Sequence, residues 1–276
     1  MSKLKKILIK TRRQIFSEIA GNNPSVFEGE GFDFSQLREY NYGDDIRRID
    51  WNTTAKLQKP YVKVFNEERE LNIVILSMLN GNLFFGQKIF KQDIMAEIVA
   101  ILAYSAVKNS DRFSSYIYND DLICSTPPSK NIHSVQKAVS QILEYPVIGK
   151  KIDAQNLAKK VYDTIKRRSI IFIIGDFFDD FDFRLLAKKH EIIAVLVRDR
   201  LEESPKEMGA INLFDPQSMK SSFLQIDKSA IERYIGEIRE KDAALFRNFR
   251  KNRINYTKIY ADENPFVKLS KLFLRR

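Results

Sequence analysis

Three features of this sequence predict an α/β fold with a mostly parallel sheet and helices on both faces. Residues 71–79, 169–174 and 192–197 are short, predominantly apolar runs, the pattern of strands buried on both sides. Helical patterns separate these runs, and strand–helix–strand order implies right-handed crossovers into one Rossmann-like sheet. No internal repeat, low-complexity tract or long flexible linker interrupts the succession.

Taken in order, the chain opens with a helix whose Leu4, Leu8, Ile15 and Ile19 share one face, with Ile7 and Phe16 beside them. Gly21-Asn22-Asn23-Pro24 ends it. Its other face is cationic: Lys3, Lys5, Lys6, Lys10, Arg12 and Arg13 come before any acid. The favoured role for this helix is to pack its apolar stripe on the domain. The alternative is peripheral contact with an anionic membrane. An extended run is expected at 61–65. Beyond the first buried strand come a well-buried helix at 90–107 and an edge hairpin of 112–118 with 121–125, which Pro127-Pro128 breaks off. Helices follow at 132–143, 154–165 and 183–189, the last between the two central strands at 169–174 and 192–197. A small hairpin of 210–214 with 222–225 turns around Asp215-Pro216. The longest helix spans 228–252, with Ile231, Tyr234, Ile235, Ile238, Leu245, Phe246 and Phe249 inward. A last strand at 255–260 precedes a closing helix that starts at Pro265, where proline is tolerated. Residues 1–70 read as an N-terminal extension and 71–276 as the α/β domain.

Within that extension, one stretch mixes both signs of charge with aromatics: Gly29-Glu-Gly-Phe-Asp-Phe-Ser-Gln-Leu-Arg38-Glu39-Tyr40-Asn-Tyr-Gly43-Asp44-Asp45-Ile-Arg47-Arg48-Ile-Asp50-Trp51, continuing to Glu67-Glu68-Arg69-Glu70. Tyr42-Gly43-Asp44-Asp45 predicts a tight turn, since glycine tolerates positive φ and aspartate bonds its own backbone. Asp44 or Asp45 then caps a short helix at 46–52 with Ile46 and Ile49 on one face. Arg38, Arg47, Arg48 and Arg69 are forked donors, with Glu39, Asp44, Asp45 and Asp50 as natural carboxylate partners. Two readings stand: a polar buttress against a neighbouring sheet, or a partner-docking or catalytic surface. Ion-pair networks are more often structural than chemical, which favours the buttress.

This stretch, together with Lys63-Val-Phe-Asn-Glu-Glu-Arg-Glu, Gly175-Asp176-Phe-Phe-Asp179-Asp180, Val197-Arg198-Asp199 and Asp262-Glu-Asn-Pro265, resembles the bacterial domain-of-unknown-function family fifty-eight over nearly the whole chain. The resemblance implies a von Willebrand factor A-like domain, which agrees with the order of elements. It also implies a partner, a MoxR-type AAA+ ATPase, with the protein serving as an adaptor in chaperone-like maturation of unknown client proteins. Arg38, Glu39, Tyr40, Gly43, Asp44, Asp45, Arg47, Arg48, Asp50 and Trp51 are then the expected interaction surface.

Ligands of open α/β sheets bind beyond the carboxyl ends of the central strands. Domains that this chain resembles carry Asp-x-Ser-x-Ser in the first such loop, part of a divalent-cation site. Aligning on Phe84-Phe85-Gly86 puts Met78 at the aspartate position and Asn80 and Asn82 at the serines; Asp176 matches a second aspartate. A thioether is a poor ligand for Mg²⁺, and amides bring no charge. The expectation is a degenerate site with no metal and no cofactor. Asp176, Asp179 and Asp180 also read as turn and cap residues.

No phosphate-binding Gly-x-x-x-x-Gly-Lys-Ser/Thr loop and no Gly-x-Ser-x-Gly elbow is present, and no catalytic residue is assigned. Gly29-x-Gly31 reads as a flexible lead-in. His133 and His190 are expected to face solvent or cap elements, and Cys124 to be a small core residue. One cysteine and two histidines argue against His/Cys zinc sites. The single cysteine and the lack of a secretory signal fit a cytoplasmic protein. The 44% hydrophobic content supports a real core, and no apolar run approaches bilayer-spanning length. A net charge of +10 asks for an acidic partner. That leaves three functions to weigh: a non-enzymatic interaction module, which is favoured; a nucleic-acid-binding basic protein; and a metal-dependent ligand-binding domain or hydrolase built on Asp176.

Overall fold

The computed structural model describes residues 2–17, 34–65, 70–86 and 89–274. It forms two compact units, one of Met1–Phe27 with Leu71–Arg276, the other Glu28–Glu70. One boundary between the units falls between Glu70 and Leu71. The first helix, however, goes with the larger unit and not with the extension to which the sequence reading assigned it. The glycines at 29 and 31, the helix end at 21–24 and Arg69 lie outside the described residues.

The first helix, α1 (Lys3–Ser17), buries Ile7, Leu8, Thr11 and Ile15. The three apolar residues enter the same core as the helix at 91–108, and Lys10 reaches Glu97 on that helix at 2.6 Å. The apolar stripe is thus packed on protein.

In the smaller unit, β1 (Phe34–Glu39) pairs antiparallel with β2 (Tyr61–Phe65). Between them the single helix expected at 46–52 is two pieces, a 3-10 turn at Ile46–Arg48 and α2 (Trp51–Leu57). The break follows from Asp50. Its side chain accepts the Thr53 N–H at 3.0 Å, and a capping residue needs extended backbone, so the helix restarts at Trp51.

In the larger unit come β3 (Asn72–Met78), α3 (Lys91–Lys108), β4 (Arg112–Tyr118), β5 (Leu122–Ser129), α4 (Ile132–Glu144), α5 (Ala154–Thr164), β6 (Ile170–Gly175), α6 (Arg184–Ala187), β7 (Glu191–Arg198) and α7 (Arg200–Glu203). They are followed by β8 (Gly209–Asp215), β9 (Lys220–Ile226), α8 (Lys228–Lys251), β10 (Asn255–Tyr260) and α9 (Pro265–Leu274). The main sheet has six strands in the order β10-β7-β6-β3-β4-β5. All neighbours are parallel except the β4–β5 edge pair. This is the mostly parallel, von Willebrand factor A-like arrangement that the sequence led us to expect.

Because strand side chains alternate, the sheet feeds two cores. Ile73 and Ile75 point into one with α3, α4 and α1; Val74, Leu76 and Met78 point into the other with α5, α6 and α8. Helix α3 is buried along nearly its whole length. Pro127 and Pro128 do not end the hairpin but lie within β5, tolerated because it is an edge strand. Cys124, on that edge, is exposed and not a core residue. His190, expected to face solvent or cap an element, is buried just before β7. Only Ile238 and Phe249 are buried on α8, since the part of α8 that meets the main sheet is its C-terminal half, where Phe246 and Phe249 pack on Tyr256 of β10.

Candidate functional site

Two places assemble the residues singled out by sequence. The first is the turn between β1 and β2. Arg38 grips Asp44 with both arms of its fork, Nη1 to Oδ2 at 3.0 Å and Nη2 to Oδ1 at 2.9 Å. Asp44 also accepts the Asn41 N–H at 2.8 Å. These bonds, Arg38 first, hold the Asp44 carboxyl below the usual carboxylate range, and Asp44 raises Arg38 in return. Gly43, at φ +106°, makes the turn possible. Asp45 accepts the Arg47 N–H at 3.0 Å and Nε at 3.2 Å, capping the 3-10 turn. Glu39 pairs with Lys59 at 3.1 Å, and Asp50 is the α2 cap. Tyr40 donates its backbone N–H to Pro60 O. The Arg48 side chain lies outside the described residues. What the ion pairs brace is an apolar surface: Tyr42 is fully exposed, and Ile46 and Trp51 are 63% and 66% exposed.

The second place is the crevice beyond the carboxyl ends of β3, β6 and β7, adjacent at the centre of the sheet. Asn80 and Asn82 donate through Nδ2 to Asp176 Oδ2 at 3.3 and 3.0 Å. A carboxylate only accepts, so both amides turn their nitrogens toward it. Met78, at the position where the resemblance expects an aspartate, faces the opposite core. It packs so tightly on Gly175 that a Cβ there would sit 2.5 Å from Met78 Cε. These residues do not fit a divalent cation, which needs several hard oxygens. Of the four aligned positions only Asp176 is a carboxylate, its two amide neighbours offer nitrogen, and Met78 packs in the core against Gly175. Among the described residues no group of three or more His, Cys, Asp or Glu side chains could hold a metal ion.

The crevice is instead filled by fixed cations, of which the sequence reading quoted Arg198 only within a motif and gave Lys91 no role. Lys91, fully buried at the start of α3, donates to Glu202 Oε1. Glu202 Oε2 accepts the Asp199 N–H at 2.9 Å in the capping box of α7, so one carboxylate is held from both sides. Burial pushes the Glu202 carboxyl above its usual range, and Lys91 opposes that shift. Arg198, also buried, donates to Asp176 O, to Phe177 O at 3.3 Å and to Asp242 Oδ1 at 3.2 Å. Asp242 and Glu203 share Lys258 at 2.6 and 2.7 Å, and Glu203 accepts the Tyr260 hydroxyl at 2.7 Å. Burial first, then the Glu203 bond, pushes Tyr260 up to about 12. A cleft of about 160 Å³ adjoins this network, lined by Phe177, Phe178, Asp179, Lys241 and Asn248 among others. The trace in sequence was Arg198, within Val197-Arg198-Asp199 at the end of a largely apolar strand. Lys91 and Glu202 are separated by 111 residues, and nothing local links them.

Fold and site together define an α/β domain of von Willebrand factor A-like architecture, carrying a charged, amide-lined crevice and a braced aromatic turn in a separate unit. The family described as "Protein of unknown function DUF58" matches residues 36–244, and the chain belongs to it. Among individual relatives, the uncharacterized protein Rv1480 of Mycobacterium tuberculosis is 23% identical over 223 residues, covering 78% of this chain and 70% of its own. Similar solved structures include the conserved hypothetical protein BatB from Bacteroides thetaiotaomicron, with TM-score 0.47 and 8% identity over 74% of this chain and 98% of that one. The SpRpn10 VWA domain aligns with TM-score 0.36 and 12% identity over 75% of this chain and 96% of its own.

Proposed function

We propose that the protein is a non-enzymatic interaction module, an adaptor that docks a MoxR-type AAA+ ATPase through the β1–β2 turn. The observation that carries this reading is the exposure of Tyr42, Ile46 and Trp51 on a turn stiffened by the Arg38–Asp44 fork and the Asp50 cap. Large aromatics held rigid in water are the anchors that protein interfaces use. Beside them Arg47 is 91% exposed on its side chain although it touches Asp45, which suits a partner surface that is apolar and acidic. The ATPase as partner is supported by the family resemblance. An exposed free thiol at Cys124 fits the reducing cytoplasm as the place of action. No helix among the described residues is long and apolar enough to cross a membrane.

The test is co-purification of the tagged chain with the ATPase, using Trp51→Ala and a double charge reversal at Arg47 and Arg48. Loss of the partner with an unchanged melting curve is the expected result. Retained binding by both variants overturns the reading. A second reading, nucleic-acid binding, is favoured by the acid-free helix α1, whose Lys5, Lys6 and Arg13 are exposed. It predicts a salt-dependent shift of mixed-sequence DNA or RNA, and no shift at low salt removes it.

A further inference from the structure

We infer that the ammonium of Lys91 holds, within this crevice, the place that a divalent cation takes in a metal-binding sheet of the same kind, so that the site carries its own permanent cation. The inference concerns the larger unit alone and stands independently of the partner reading above.

Three loops lead out of the three adjacent central strands β3, β6 and β7. Lys91 Nζ is in contact range of a side chain from each. It lies 6.0 Å from the Phe85 ring centroid after β3, 5.5 Å from that of Phe178 after β6, and in hydrogen-bond contact with Glu202 after β7. This is the point where an open α/β sheet collects its ligands. A hydrated cation from solution would need an open coordination position there. Instead Lys91 is fully buried and Glu202 nearly so. Both rings turn a π surface toward the ammonium, an arrangement that suits an organic cation and offers nothing to Mg²⁺. The loop residues act in the same sense. Asn80 and Asn82 meet Asp176 with N–H groups and not with the oxygens that a metal between them would require. Glu202, which feels both Lys91 and Asp176, is fixed by the α7 capping box, so the acceptor for the ammonium is held in place from its other side.

A lysine in this role differs from a metal in one testable respect: it cannot be removed by a chelator, and deleting it leaves a cation-sized vacancy beside the buried Glu202 carboxylate. The experiment uses the full chain and follows Tm with and without millimolar Mn²⁺, Mg²⁺, ethylammonium and EDTA. For the wild type, Tm is expected to stay the same under all four. Lys91→Ala is expected to lose about 10 °C, as a buried carboxylate without its partner should. It should recover part of that loss with Mn²⁺ or ethylammonium, but not with equal ionic strength of NaCl. A wild-type Tm that rises with Mn²⁺, and stops doing so in Asp176→Asn, overturns the inference. So does a Lys91→Ala protein whose Tm no cation restores. Should Lys91→Ala fail to fold, Lys91→Met is compared with Lys91→Met/Glu202→Gln. Greater stability of the double variant upholds the charge role, and equal or lower stability overturns it.

Discussion

The guanidinium carbon of Arg198 lies 3.6 Å from the centroid of the Phe178 ring, stacked on its face, while the same group donates to two backbone carbonyls of the loop that carries the ring. One side chain at the end of β7 thereby holds the backbone at the end of β6, including Phe177 at φ +53°, a conformation that costs an aromatic residue energy. Asp242, on α8, accepts from the same Nη2 that meets Phe177 O.

Lysine cannot reproduce a planar fork that stacks and donates in several directions. Arg198→Lys should therefore lose about 2–4 kcal/mol despite keeping the charge, since a buried network loses most of its donors. Urea denaturation should show a lower midpoint with an unchanged m-value. A loss under about 0.5 kcal/mol would mean that the charge alone matters.

Gly81 and Pro216 meet backbone to backbone: a Cβ on Gly81 would lie 2.5 Å from the Pro216 carbonyl. The tip of the β8–β9 hairpin is held there and by the Gly149 N–H, which donates to Pro216 O at 2.7 Å. Both strands are otherwise largely exposed, with Phe214 and Phe223 in water. Gly81→Ala should push the tip away and leave the hairpin loose. Limited trypsin digestion should then cut at Lys220 several-fold faster than in the wild type, with little change elsewhere.

Asp179 sits at the rim of the 160 Å³ cleft. Partial removal from water, then the like charges of Asp176 and Asp180, raise its carboxyl above the usual range. A carboxyl raised on folding binds more protons in the native state, so stability falls as pH climbs through its folded value. Asp179→Asn should be more stable than the wild type at pH ~7, and the gap should close toward acid, where the native carboxyl is protonated. Melting curves from acid to neutral pH test this. A gap that stays constant with pH would place the effect elsewhere.

His190 shows the opposite sign. Burial, reinforced by Lys189, lowers its imidazole from 6.5, so the unfolded chain takes up a proton that the native chain resists. Stability should thus decline as pH falls below about 6.5. His190→Gln should flatten that part of the profile, as measured by urea midpoints between neutral pH and pH ~5. A profile as steep as that of the wild type would remove His190 as the cause.

The regular elements were legible to different degrees, and the reasons are physical. The strands at 112–118 and 255–260 and the helix starting at Pro265 have the bounds that alternation and proline placement predict. Strand β1 was not foreseen: Phe34–Glu39 is short, and in its smaller unit pairing with β2 carries more of the signal than its own composition. The split at Asp50 was missed because Ile46 and Ile49 mimic a helical face, while the deciding interaction is one side-chain bond to Thr53 N–H. Cys124 and His190 exchanged places relative to expectation. A residue's depth depends on whether its strand is an edge or starts beneath a covering helix, and neither is a local property.

By itself the sequence determined the class of fold and the order of elements, because periodicity and residue chemistry act over a few neighbours. Only the tertiary structure decided which side chains meet at the carboxyl ends of the central strands. Lys91, Asp176, Arg198 and Glu202 come together because parallel crossovers bring the ends of β3, β6 and β7 side by side, and burial there forces each charge to find a partner that no stretch of sequence contains.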